Sequence, residues 1–212
     1  MADRKVIFAE GWDRACSLYA LLREGGTIPE PEAGPSTVRL EQGERVLVET
    51  ELGFGRHIGR NVTAPVRPQR KHGIGMLGIG PTVIIRALHN RRVRANNRRW
   101  ARWAEEQATP RWQHLGIART IMTDRRLLCD HNGWVIFGYP GVVELRPALQ
   151  SWQFELHFTD TAPVRLVGAF GPWCSVALAS LLYGPQGLTL PGFEVFANAT
   201  GGSFPKPPPL PK

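Results

Sequence analysis

The sequence predicts a mainly β domain with helices: a small seven-stranded barrel capped by a C-terminal helix. An N-terminal helix precedes it, and a long basic helical insertion separates strands 1 and 2. Three observations predict this. Short apolar runs after Pro110 alternate with turn residues at strand spacing. Residues 171–183 are apolar at helical spacing and stop at Gly184-Pro185. Residues 56–104 hold 12 Lys or Arg and no Asp or Glu in a chain of net charge +8, so the remainder carries −4. The chain is thus a mildly acidic body with a basic insert, and a block of like charge marks an interaction segment or a solvated arm.

The elements follow in order. Residues 8–23 place Trp12, Ala15, Cys16, Leu18, Tyr19 and Leu22 on one helical face, and Gly25-Gly26 ends the helix. Residues 1–26 are therefore expected to form an amphipathic helix. Residues 27–39, with Pro29, Pro31, Gly34 and Pro35, read as a linker. Residues 44–52 alternate as a first strand, and the pattern then stops. Residues 53–70 read as loop, 72–81 as a glycine-rich apolar stretch, and 82–108 as a helix with Ile85, Val93, Trp100 and Trp103 near one face.

Strands resume at 115–122, 125–130, 134–139, 142–146, 152–158 and 163–167. Asn132-Gly133 marks a tight hairpin turn, since both positions tolerate positive φ. In 152–158 the alternation sends Trp152, Phe154, Leu156 and Phe158 to one side. The closing helix turns Trp173, Val176, Ala177, Leu178, Leu181 and Leu182 inward. Residues 40–184 are thus assigned to the barrel, with 53–110 as its insertion. Residues 185–212 form a proline-rich tail ending Pro205-Lys206-Pro207-Pro208-Pro209-Leu210-Pro211-Lys212, expected to fray, with docking into an aromatic-lined groove as the alternative.

Two stretches resemble a known family. Gly116 to Leu128 (GIARTIMTDRRLL) is similar to the "G-x-L-x-x-T-x-x-R-L" core of GRAM and bacterial PH-like domains, with matches at Gly116, Thr123, Arg126 and Leu127. Residues 40–48 (LEQGERVLV) resemble the "GE-x-v-l" opening strand of the same domains. The resemblance implies a pleckstrin-homology superfold over about residues 40–183. It also implies that the connection between the first two strands, here about 60 residues instead of a short loop, is the ligand-facing one. Some PH-like domains use that loop on phospholipid headgroups and others bind proteins, so the fold does not choose the ligand.

The insertion carries the candidate surface. Arg86, Arg91, Arg92, Arg94, Arg98, Arg99 and Arg102, interleaved with Trp100 and Trp103, suit an anionic membrane surface or nucleic acid. A solvated helix packing its tryptophans on the body explains the same pattern. Gly73-Ile74-Gly75-Met76-Leu77-Gly78 matches a dinucleotide fingerprint, yet no strand precedes it and no acid follows at the ribose distance. Those glycines fit a flexible loop, close backbone packing, or a shallow membrane-inserting loop using Ile74, Met76, Leu77 and Ile79.

Cys16, Cys129 and Cys174 have no CxxC spacing, and the six histidines show no ligand pairs. No metal, cofactor or small-molecule substrate is expected. No nucleophile-elbow, zinc-protease or P-loop motif occurs, so no enzymatic activity is expected. Neither a signal peptide nor an apolar run of about 18 residues is present, which points to a cytoplasmic protein, peripheral at most to a membrane. Three functions remain: a non-catalytic module at an anionic membrane, a nucleic-acid-binding accessory protein, or a protein-assembly scaffold.

Overall fold

In a computed structural model, residues 3–29, 38–59, 81–197 and 206–210 are described. Within the long helix, side chains are described for 93, 95–106 and 108. The chain divides into two compact units, Met1–His57 with Trp112–Lys212, and Ile58–Arg111.

The first unit begins with α1 (Arg4–Arg23), four residues earlier than the apolar spacing indicates. The missed signal is Asp3, whose carboxylate accepts the Lys5 N–H and caps the first turn. Gly25, at φ +83°, ends the helix, and Gly26 N–H returns to the Leu21 carbonyl at 2.9 Å. The expected face (Trp12, Ala15, Cys16, Leu18, Tyr19, Leu22) is buried.

Seven strands follow: β1 (Val46–Ile58), β2 (Arg111–Thr123), β3 (Arg126–Asp130), β4 (Trp134–Gly138), β5 (Val142–Ala148), β6 (Gln153–Phe158) and β7 (Val164–Val167). They form one sheet in the order β4-β3-β2-β1-β7-β6-β5. Each is at or near its expected place. The sheet is antiparallel, as in the register Phe54↔Leu166 between β1 and β7 and Leu127↔Phe137 between β3 and β4. β4 and β5 are its edges, and among the described residues no ladder joins them, so the closed barrel expected from the sequence is not formed by hydrogen bonding. The Asn132-Gly133 turn takes the expected form, with φ of 57° and 120°.

β1 runs six residues beyond its expected end, through Gly53 and Gly55, which in sequence read as loop. In the sheet both lie where neighbours close in. A Cβ on Gly53 would stand 3.3 Å from the Val167 carbonyl oxygen, and one on Gly55 3.2 Å from that of Gln113. The glycines here serve backbone approach rather than a turn.

After β7 comes α3 (Gly171–Tyr183), whose residues through Ala179 are buried on every side rather than along one stripe. A helix that is apolar all round belongs between two layers. Here β5 and β6 contact one side and α1 contacts another. The tail then folds back. A 3-10 turn over Gly184–Thr189 and a short α4 (Glu194–Ala197) bury Leu188, Phe193 and Phe196, and Tyr19 donates its hydroxyl to the Leu188 carbonyl at 3.2 Å. Trp12 meets Phe196 with ring centroids 5.0 Å apart. The proline-rich end does not fray within 206–210: Pro208 is buried, and Trp152 Nε1–H donates to the Pro209 carbonyl at 2.9 Å.

The second unit contains α2 (Pro81–Ala108), matching the expected helix. No helix among the described residues is long and apolar enough to cross a membrane.

α1 lies close against the body at Gly11, where an added Cβ would lie 2.2 Å from the Ala169 carbonyl oxygen. Gly11→Ala, which in an open helix stabilises by up to about 1 kcal/mol, should here destabilise by about 1–3 kcal/mol. Urea unfolding followed by circular dichroism reads the sign. A more stable variant would show that α1 is not seated against Ala169.

Candidate functional site

α2 has 28 residues, which at 1.5 Å per residue makes it about 42 Å long. Trp100 and Trp103 stand three residues apart, so they share a stripe. Their rings meet edge to face, with centroids 5.4 Å apart and an interplanar angle of 89°. Both remain in solvent, at 38% and 42% exposure.

Arg98, Arg99 and Arg102 are exposed, and among the described residues none has an ion-pair partner. At about 100° per residue, Arg98 lies about 160° from Trp100 and Arg102 about 100° from Trp103. Arg99 alone falls near the tryptophans, one turn before Trp103. The helix therefore turns Arg98 and Arg102 away from an aromatic stripe that Arg99 borders. Arg86, Arg91, Arg92 and Arg94 belong to the same helix, with side chains outside those described. Ile74, Met76, Leu77 and Ile79 and the glycine motif lie outside the described residues.

Two of the residues that carried the family resemblance, Thr123 and Arg126, meet around the carboxylate of Glu44 from the other resembling stretch. Glu44 is buried. Arg126 grips it with two N–H groups, Nε to Oε1 and a terminal nitrogen to Oε2, both at 2.8 Å. The Glu41 N–H donates to Oε2 at 2.7 Å, and the Thr123 hydroxyl donates to Oε1 at 2.8 Å. Thr123 Oγ1 in turn accepts the N–H groups of Arg125 and Arg126, closing the β2–β3 turn. Tyr139 adds its hydroxyl on the Thr123 carbonyl at 2.8 Å. Burial pushes the Glu44 carboxyl pKa up, but the hydrogen bonds from Arg126, Glu41 and Thr123 outweigh it and hold the pKa below its ordinary value. Leu127 is in the core, and Gly116 takes φ +133°, open to glycine. The cluster has its donors and acceptors matched to one another and joins strand ends.

A second basic group was not legible as part of the sheet. Arg56 lies in β1 opposite Val164, its guanidinium 5.1 Å from the Phe137 ring centroid. One terminal nitrogen donates to Thr161 Oγ1 at 3.0 Å, while the buried Nε has no partner among the described residues. Desolvation lowers its pKa. On the other side of the sheet Arg165 stacks 4.0 Å from the Trp112 centroid and is held by Glu155 at 2.6 Å.

The three cysteines are free and buried, and burial first of all pushes each thiol up to about 12. None supplies a thiolate near neutral pH. Among the described residues no three His, Cys, Asp or Glu side chains converge as a metal site.

No protein-family model matches the chain, and no curated protein matches it.

Because its folded pKa is depressed, the Glu44 carboxylate contributes stability above its unfolded value and loses it as pH falls through the folded one. Glu44→Gln leaves Arg126 without its buried partner and should cost about 3–5 kcal/mol near neutrality. The penalty should shrink on acidification into the range where the wild-type carboxyl itself protonates. Urea midpoints for both proteins from pH 7 to pH 3 check it. A penalty independent of pH would refute the ion pair as its source.

Proposed function

We propose that the chain is a non-catalytic PH/GRAM-like module that associates peripherally with an anionic membrane surface at the cytoplasmic face, through α2. The carrying observation is the arrangement of that helix: an exposed tryptophan pair on one stripe bordered by Arg99, and Arg98 and Arg102 turned away from it, the three arginines having no ion-pair partner among the described residues. A helix in a membrane interface needs this arrangement. Its aromatic side enters the headgroup boundary while guanidiniums reach outward along the anionic surface. Each cation near such a surface contributes about 1 kcal/mol, so the three described arginines contribute about 3 kcal/mol before any gain from tryptophan burial.

Seven sheet strands followed by a helix, with α2 inserted between the first two, agree with a PH-like domain that uses the connection between those strands. The acidic remainder of the chain supports the same division of labour. A nucleic-acid reading has one observation in its favour, Arg99 one turn from Trp103, a spacing that suits a phosphate contact beside a stacked base. The other two described arginines face away from the rings.

Co-sedimentation with vesicles of phosphatidylcholine, with and without phosphatidylserine, tests the proposal. Arg98→Glu/Arg99→Glu/Arg102→Glu should lower binding to the anionic vesicles more than 100-fold, since three attractive contributions are lost. Trp100→Ala/Trp103→Ala should weaken binding to them as well, and neutral vesicles should retain little of any protein. Undiminished binding by the charge-reversed variant, or no wild-type binding at low salt, overturns it. Steeply salt-dependent affinity for single-stranded DNA, lost in the same variant, with no vesicle binding, would assign the surface to nucleic acid.

A further inference from the structure

The tail segment Lys206-Pro207-Pro208-Pro209-Leu210 is chemically unlike anything else in the chain. Consecutive prolines fix φ near −65° and leave their carbonyls without intrachain donors, so such segments are read by external N–H groups and flat apolar rings. Trp152 supplies the donor. Its indole N–H donates to the Pro209 carbonyl at 2.9 Å. Phe8 packs edge-on against its ring at 4.7 Å between centroids, and Trp12 at 5.6 Å. Pro208 is buried, Leu210 packs on the core, and Lys206, Pro207 and Pro209 remain exposed.

Trp152 reaches this position through an uncommon backbone. It is one of two non-glycine residues with positive φ among those described, at φ 56° and ψ 32°. For a bulky side chain this conformation is costly, and it persists only where the surroundings enforce it. The Trp152 N–H donates to the Leu149 carbonyl at 3.0 Å, and its own carbonyl accepts the Gly168 N–H at 2.9 Å. Gly171 leaves room that a Cβ would close, at 2.4 Å from the Trp152 carbonyl oxygen. The fold thus holds one indole donor at a fixed aim, beside two further aromatic rings.

We propose that the place where the Trp152 indole N–H meets Pro209 and the core receives Pro208 and Leu210 is a binding site for proline-rich peptides, that residues 206–210 are its resident ligand in cis, and that a proline-rich segment supplied in trans exchanges with them. The site lies in the sheet-bearing unit and is independent of α2. The tail is covalently tethered, so an incoming peptide competes with an effective concentration in the millimolar range.

The test uses the full chain with Pro207→Gly/Pro208→Gly/Pro209→Gly, which removes the preset backbone of the resident ligand. A fluorescein-labelled peptide of the chain's own residues 203–212 is titrated in and followed by anisotropy. Saturable binding to the tail-disabled chain, at least tenfold tighter than to the wild type, is expected. Adding Trp152→Phe should weaken it about five- to tenfold through loss of one hydrogen bond. A peptide with every proline replaced by alanine should not bind. The proposal is overturned by no binding to a tail-disabled chain of native circular dichroism, by equal affinity for both chains, or by equal binding of the alanine peptide. Should Trp152→Phe fail to fold, indole N–H resonances in the tail-disabled chain decide. A peptide-induced shift supports the site, and an unmoved set overturns it.

Discussion

The first unit is organised around the backbone of Trp152. Turning that residue into the left-handed region lets the chain leave the 3-10 turn at 149–151 and enter β6 while its side chain stays fully buried. Its carbonyl is then free for Gly168, which follows β7, and its ring for Phe8 and Trp12 of α1. Four parts of the chain converge there: α1, the start of β6, the passage from β7 into α3, and the tail. An unfavourable backbone conformation is tolerable only because each neighbour contributes a contact that a relaxed conformation would break.

From that point the layering follows. With its first nine residues buried all round, α3 must lie between the sheet and a cover, and α1 with the 184–197 segment provides the cover. α1 comes close only because residue 11 lacks a Cβ. The Glu44–Arg126 pair is a polar counterpart to this apolar packing. Its carboxylate is desolvated, which is expensive, and is retained because donors from three residues meet it. The same residues made the family resemblance visible, so the resemblance rests on side chains that fasten strand ends together. The surface proposed to meet ligand is elsewhere, on α2.

Much of the element order was legible locally. The seven strands and three principal helices could be placed because apolar alternation, helical spacing and turn residues act over a few neighbours. Asn132-Gly133 is the plainest case, since positive φ at both positions is a property of those two residues. Gly53 and Gly55 were misread for the same reason. Their local signal is freedom, whereas their role is to admit strands that the sequence does not place beside them. The basic, tryptophan-bearing character of α2 was also plain, but the separation of its rings from Arg98 and Arg102 needed the helix to be present along its whole length.

By itself, then, the sequence determined the kinds of element, their order, and the concentration of positive charge between the first two strands. These follow from composition and short-range spacing. Only the tertiary structure decided that the sheet leaves β4 and β5 as edges, that α3 is covered on both sides, and that the proline-rich end returns to Trp152. Each depends on which surfaces meet across 50 to 170 residues of chain, as between Trp152 and Pro209 or Tyr19 and Leu188. Closing such distances is governed by burial and unmatched hydrogen-bonding groups, which no window of neighbouring residues reveals.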